Sequence, residues 1–405
     1  MPTADPARER GGTWGSSEVA MTCKERILGA MRRQDVDCAP CMPAWWSWSS
    51  PDVDGYRWTS TEERVRVLTT VLGIDTYLDF NIPLGRHPDI RETTWEEAVA
   101  EEEYPLLHKV IETPTGELSA AVRRTPDWPH GEDIPLMSDF VVSRLVKPWI
   151  EDEQDLDCLQ YVWQPSADCT DGELEQRIAP VRRLADEWQL PIRSTVGHGL
   201  TASLSLFGAS NASVISVDKP ELLERLVEIE HRATLKRIEL AARAGVDFVT
   251  RNGFYETTDF WSPLQIEHFL SESLRHEIET AHQAGMLITY TVCTGIMPIL
   301  AHLKSLSFDC LFGIEPVLGD QDTALIAREL GPDKCIWGGL SAPMHIGMGN
   351  PETVREAVRR FYRDFGRRGT ILAPVPSIRQ DWPWENVMAM VEEWNEINNS
   401  APASA

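Results

Sequence analysis

The chain lacks several features that would assign it quickly. No apolar run approaches the ~20 residues a helix needs to cross a bilayer. Residues 1–20 are rich in Pro, Gly, Ser and charge and have no apolar centre of the kind a secretory signal carries. The expectation is a cytoplasmic protein with a disordered tail over 1–20, one folded domain over 21–396, and a short tail over 397–405. Positive charge is scarce: 38 Lys+Arg face 63 Asp+Glu, a net charge of −25 over 405 residues. That balance excludes nucleic acid as the main partner and argues against an anionic membrane surface. Phosphate-binding loops and the G-x-S-x-G turn are missing. So are H-x-H and H-E-x-x-H, so zinc is not indicated by spacing. The 8 Cys are scattered, and Cys38-x-x-Cys41 is interrupted by Pro40, so reduced, buried thiols are expected in place of a disulfide framework. Tyr is scarce too, 7 beside 15 Trp.

What is present is a repeating unit. An amphipathic helix stops at Gly and a short apolar strand follows, after Gly73, Gly245, Gly285, Gly331 and Gly369. Continuous apolar strands behind such helices are buried on both faces and therefore parallel. Adding segments 39–45, 191–196 and 308–314 brings the strand count to eight. The pattern predicts an α/β fold, a (β/α)8 TIM barrel. Its second and third strands are separated by an insertion over about 82–188. Residues 109–119 within it have turn chemistry between β-prone runs, a hairpin signal. Such an insertion would cover the barrel mouth or an oligomer interface, and a homodimer is one candidate assembly. Met21 opens the folded part, and Thr22 with Glu25 forms a capping box for the first helix.

A barrel enzyme keeps its chemistry at the C-terminal ends of its strands. That rule selects Trp45, Trp46 and Trp48 after strand one and Asp79 and Asn81 after strand two. It selects His198, between two glycines, after strand three, and Arg251, Asn252, Tyr255 and Glu256 after strand four. Tyr290 and Cys293 follow strand five, Glu315 strand six, Ser341 strand seven and Arg379 strand eight. Glu256 and Glu315 are candidates for acid/base work as carboxylates at strand ends, with His198 and Tyr255 as further catalytic candidates. The tryptophans suit a flat or methylated ligand, with Asn81, Asn252, Tyr290 and Ser341 as further substrate contacts. Arg251 and Arg379 are candidate carboxylate clamps. Cys293 is a candidate nucleophile or metal ligand. Packing, helix capping and surface roles compete with each of these readings.

Several segments, in order over about 370 residues, resemble the uroporphyrinogen decarboxylase superfamily. Residues 21–31 (MTCKERILGAM) resemble its opening helix. Thr113-Pro114-Thr115-Gly116-Glu117-Leu118 resembles the T-P-x-G-x-L hairpin of its methyltransferase-like branch. Ser262-Pro263 with Phe269, His282-Gln283-Ala284-Gly285 and Gly338-Gly339-Leu340 resemble later segments, as do Pro351-Glu352-Thr353-Val354 and Glu385-Asn386-Val387. The resemblance implies a (β/α)8 barrel and one of two chemistries. These are cofactor-free decarboxylation of a porphyrinogen, or methyl transfer involving corrinoid proteins, thiols or folate, often with zinc.

The chain departs from both. The decarboxylases carry Q-A-G-R after strand one, where this chain reads Pro43-Ala44-Trp45-Trp46-Ser47-Trp48 without Arg. The thiol-activating methyltransferases carry H-x-C-G after strand five and a Cys after strand eight as zinc ligands. Here the matching stretches are Thr291-Val292-Cys293-Thr294-Gly295 and Pro374-Val375-Pro376-Ser377, so only Cys293 survives. The expectation is an enzyme of this superfamily that acts on a small organic substrate by methyl or one-carbon transfer. Corrinoid or tetrahydrofolate is the candidate carrier and a corrinoid protein a candidate partner. Decarboxylation of a carboxylated substrate and a non-catalytic ligand-binding barrel are the alternatives.

Overall fold

The computed structural model describes residues 20–45, 48–82, 87–163 and 170–400. Trp46, the 1–19 tail and residues 401–405 lie outside them. After β1 (Leu78–Asp79) come four antiparallel strands: β2 (Arg91–Glu97), β3 (Leu106–Thr113), β4 (Gly116–Arg123) and β5 (Leu145–Lys147). The chain continues with β6 (Ile192–Gly197), β7 (Phe248–Asn252), β8 (Leu287–Thr291), β9 (Cys310–Ile314), β10 (Cys335–Ser341) and β11 (Thr370–Val375). The strands β1 and β6 to β11 pair in chain order as one seven-stranded parallel sheet, with helices between them. A curled sheet of this order is TIM-barrel-like.

Its two edges are spanned by the segment over 40–45. Met42 N donates to Leu372 O at 2.9 Å, Leu372 N donates to Pro40 O at 2.8 Å, and Asp75 N donates to Cys41 O at 2.9 Å. The expected first strand is present only as parallel bridges, Cys41 with Leu372 and Trp45 with Ile378. Pro40 and Pro43 have no N–H to give a ladder, which is why a continuous strand does not form.

The helix Cys23–Met31 is started by the Thr22–Glu25 capping box, in which Thr22 Oγ1 accepts from Glu25 N and Thr22 N donates to Glu25. Ile27 and Met31 pack among Phe248, Cys310, Cys335 and Ile371, residues at the starts of their strands. This helix plugs the N-terminal end of the sheet and leaves the C-terminal end for chemistry. The helix Pro220–Ala244 buries Leu222, Leu226, Ile229 and Ala233 on one stripe and ends at Gly245, whose φ of +72° is open to glycine at little cost. Gly331 differs: it stays right-handed at φ −54°, so that helix ends without a left-handed cap.

In the antiparallel sheet, β3 and β4 pair from Leu106–Arg123 to Thr113–Gly116, and Thr113 Oγ1 donates to Gly116 O at 2.9 Å across the turn. The last helix, Trp384–Asn399, runs past the expected end at 396. Among the described residues no single helix is long and apolar enough to cross a membrane, although the bent pair Leu200–Leu206 and Ala209–Asp218 passes by length and composition.

Candidate functional site

The strand ends carry two layers of polar side chains. The lower layer centres on Arg251, near the end of β7, which is fully buried. Its terminal nitrogens donate to Glu256 Oε1 at 3.0 Å and Oε2 at 3.2 Å, and its Nε donates to Glu277 Oε2 at 2.7 Å. Tyr290 Oη donates to Glu256 Oε2 at 2.6 Å, and Leu200 N donates to Glu256 Oε1 at 2.8 Å. Both oxygens of Glu256 are therefore engaged. Burial pushes the Glu256 carboxyl above its ordinary value despite Arg251. Burial opposes the charge on Arg251, but Glu256, Glu277 and Glu230 together outweigh it and hold the guanidinium protonated. The chain extends outward: His231 Nδ1 lies 2.8 Å from Glu277 Oε1, and His231 Nε2 lies 3.2 Å from His276 Nδ1.

Glycines make room for this layer. A Cβ on Gly199 would collide with the Arg251 guanidinium and Glu256 Oε1, and one on Gly253 with Glu256 Oε2 and the Tyr290 ring. His198 sits between Gly197 and Gly199 because the backbone there folds onto a buried carboxylate. His198 N donates to Glu230 Oε1 at 2.8 Å and Gly199 N to Glu230 Oε2 at 3.0 Å. Burial drives the His198 imidazole down to about 4, against the pull of Glu230, so it is neutral at physiological pH.

The upper layer joins Tyr255, Cys293 and Glu315. Glu315 follows β9 and is buried; Oε2 accepts from Leu318 N and, at 2.9 Å, from Gly319 N, while Oε1 is buried without a hydrogen-bond partner. Cys293 follows β8, and burial, then Glu315, then Asp259 push its thiol up to about 12. Gln321 Nε2 donates to Cys293 O at 2.6 Å, and Gln321 Oε1 is a second buried acceptor without a donor. Burial and then Asp139, to which its hydroxyl is hydrogen-bonded, raise Tyr255. Asp139 comes from the short helix Asp139–Val142 between β4 and β5, so the stretch between β1 and β6 reaches the mouth.

The remaining expected residues fall elsewhere. Trp45 is buried, edge-on to Trp58 at 5.3 Å and tilted against Trp384 at 6.0 Å, in the packing beneath the mouth loops. Trp48 is half-buried and donates from Nε1 to Asp79 Oδ2 at 2.7 Å. Ser341 is buried and its Oγ accepts from Met344 N at 3.3 Å, a capping role. Asn252 is half-buried at the end of β7, and Asn81 and Arg379 are exposed. Residues not singled out in the sequence are Arg64, Asp139, Arg193, Glu230, Glu277 and Gln321. Glu230 and Glu277 carried a signal: each interrupts the buried stripe of its helix, beside Ile229 and Ala233 or Leu274 and Ile278. A charge on an apolar stripe needs a buried partner.

The donor set does not fit a zinc ion. Among the described residues no three His, Cys, Asp or Glu side chains converge as metal ligands, around Cys293 or elsewhere.

The family model described as uroporphyrinogen decarboxylase (URO-D) matches residues 138–397. No curated protein matches the chain. Among solved structures, the fold is similar to that of a methyltransferase from Methanosarcina mazei, with TM-score 0.54 and 17% identity over 93% of this chain and 99% of that one. A B12-independent methionine synthase from Shewanella sp. W3-18-1 aligns with TM-score 0.46 and 10% identity over 89% of this chain and 97% of that one.

Proposed function

The chain belongs to the uroporphyrinogen decarboxylase (URO-D) family, and from that premise we propose that it is an enzyme transferring a methyl or other one-carbon group to or from a small organic substrate. We read its sheet as an eight-position (β/α)8 barrel, with residues 40–45 in the first position and the antiparallel strands as an insertion between the second and third. The observation that carries the reaction is Glu315. A buried carboxylate oxygen without a donor, beside a thiol kept protonated and the unpaired Gln321 Oε1, asks for a ligand that brings an N–H, O–H or S–H. A methyl acceptor brings such a group. Its lone pair takes the methyl group, its proton passes to Glu315 Oε1, and the carrier leaves with the electron pair of the broken bond. Tyr255 orients the substrate from the rim, and the Arg251–Glu256–Tyr290 layer holds the strand ends beneath it. Corrinoid and tetrahydrofolate are the candidate carriers, free or presented by a corrinoid protein.

Decarboxylation has less support. Of the two clamps it would use, Arg251 is fully buried and tied to two carboxylates, and Arg379 is exposed. The test is to supply 2-mercaptoethanol with methylcobalamin or 5-methyltetrahydrofolate and to follow the methyl thioether by mass spectrometry. Transfer from one carrier is expected, with a loss of about 100-fold or more in Glu315→Gln. No transfer from either carrier, or full activity in Glu315→Gln, overturns the reading.

A further inference from the structure

A second group of side chains gathers at the end of β1. Arg64, on the short helix Thr61–Arg66, is 4% exposed. Its guanidinium carbon sits 3.7 Å above the Trp48 ring, and its Nε is buried without a hydrogen-bond partner. The nearby carboxylate is already taken. Asp79 Oδ1 accepts from Arg193 Nε at 2.8 Å and Nη2 at 2.7 Å, and Asp79 Oδ2 accepts from Trp48 Nε1 at 2.7 Å. Arg193 in turn lies 4.4 Å over the Tyr77 ring. Two guanidiniums therefore share one carboxylate, and among the described residues Arg64 has no ion pair of its own. A buried cation left without a counter-charge costs several kcal/mol.

We propose that Arg64 is the docking point for the carboxylate of the substrate, with the Trp48 indole as a flat wall beside it. The local excess of one positive charge matches a monoanion, and the planar fork with its free Nε matches two oxygens of one carboxylate. Asp79 ends β1 and Glu315 follows β9. In the eight-position reading proposed above these are the second and sixth positions, on opposite sides of the mouth. The substrate class is therefore a small acid with its carboxylate at Arg64 and a proton-bearing thiol, amine or hydroxyl at Glu315. This deepens the one-carbon reading and rests on it for the second end only.

The test is calorimetric titration of the full chain with 3-phenylpropionate, its amide 3-phenylpropionamide, and inorganic phosphate. The acid is expected to bind, at least tenfold more weakly in Arg64→Lys, which keeps the charge and loses the fork, and not detectably in Arg64→Met. The amide is expected not to bind, and phosphate to bind more weakly than the acid. The ligand-free Arg64→Met protein is expected to melt no lower than wild type, because it loses an uncompensated buried charge. Absence of acid binding to wild type, equal binding of the amide or of phosphate, retained binding in Arg64→Met, or a lowered melting temperature of that variant each overturns the site. Carboxylate binding without methyl transfer sinks the one-carbon reading alone. Methyl transfer to 2-mercaptoethanol without carboxylate binding sinks this site alone.

Discussion

A side chain at Gly199 would occupy the space of the Arg251 guanidinium, because the backbone there, at φ +49°, lies directly against the buried ion pair. The absence of a Cβ is what lets strand β6 end on Glu230 while Arg251 reaches Glu256. Gly199→Ala is expected to cost about 2–4 kcal/mol, from overpacking plus the strain of a left-handed non-glycine residue. Gly245→Ala is the comparison: it has φ +72° and ψ 36° with nothing within 4 Å, and only the conformational cost of about 1–2 kcal/mol applies. Urea unfolding of both variants checks the difference, and equal losses would refute the close approach.

Arg251 joins Glu256 and Glu277 with none of the three more than 1% exposed. Arg251→Met leaves two buried carboxylates facing each other. The expected loss is about 3–5 kcal/mol. The triple variant Arg251→Met, Glu256→Gln, Glu277→Gln removes the charges together and is expected to recover much of that stability. A triple variant no more stable than Arg251→Met would show that packing around the guanidinium, and not charge, holds this layer.

The legible part of this molecule was its repeat. Helix, glycine and apolar strand recur because each strand must be buried between helix and barrel interior, and that periodicity is local. The Thr22–Glu25 cap and the Thr113 to Gly116 turn were legible for the same reason. What the sequence obscured was partnership. Glu256 and Glu315 look alike at strand ends, yet one has both oxygens engaged by Arg251, Tyr290 and Leu200, while the other keeps a buried oxygen without a donor. Arg64 was invisible because its significance is a missing counter-charge, and only the fold shows that Asp79 is committed to Arg193 and Trp48. The tryptophans near the strand ends divide likewise: Trp45 lies against the Trp58 and Trp384 rings, while Trp48 faces charge.

The imidazole of His198 gives stability a defined pH slope. Its folded value of about 4 lies below the ordinary value of ~6.5. Between these limits the unfolded chain binds a proton that the folded chain refuses, so stability falls as pH drops from ~6.5 towards 4 and is flat above. The size is on the order of 2–3 kcal/mol at 1.36 kcal/mol per unit, shared with Glu230. Urea unfolding from pH 4.5 to 8 is expected to show this slope, and His198→Gln to remove that part of it. An unchanged slope in His198→Gln would place the effect elsewhere.

Cys293 is set up to keep its proton. Burial is the main cause and the charge of Glu315 the next, and together they put the thiol near 12, above the ordinary thiol value of ~8.5. At pH 8 the thiolate is then on the order of one part in ten thousand, so alkylation by iodoacetamide is expected to be at least 100-fold slower than that of glutathione. The rate is expected to keep rising about tenfold per pH unit through pH 10. An ordinary thiol shielded only by access would level off near pH 9. Glu315→Gln removes a negative neighbour, which lowers the thiol and speeds alkylation several-fold, while burial still holds it well below glutathione. Peptide mass spectrometry at Cys293 separates these outcomes. A plateau near pH 9, or no change in Glu315→Gln, would mean that the carboxylate and the thiol do not share one site. With the thiol holding its proton, the buried Oε1 of Glu315 is the group of the pair that is left open to accept one.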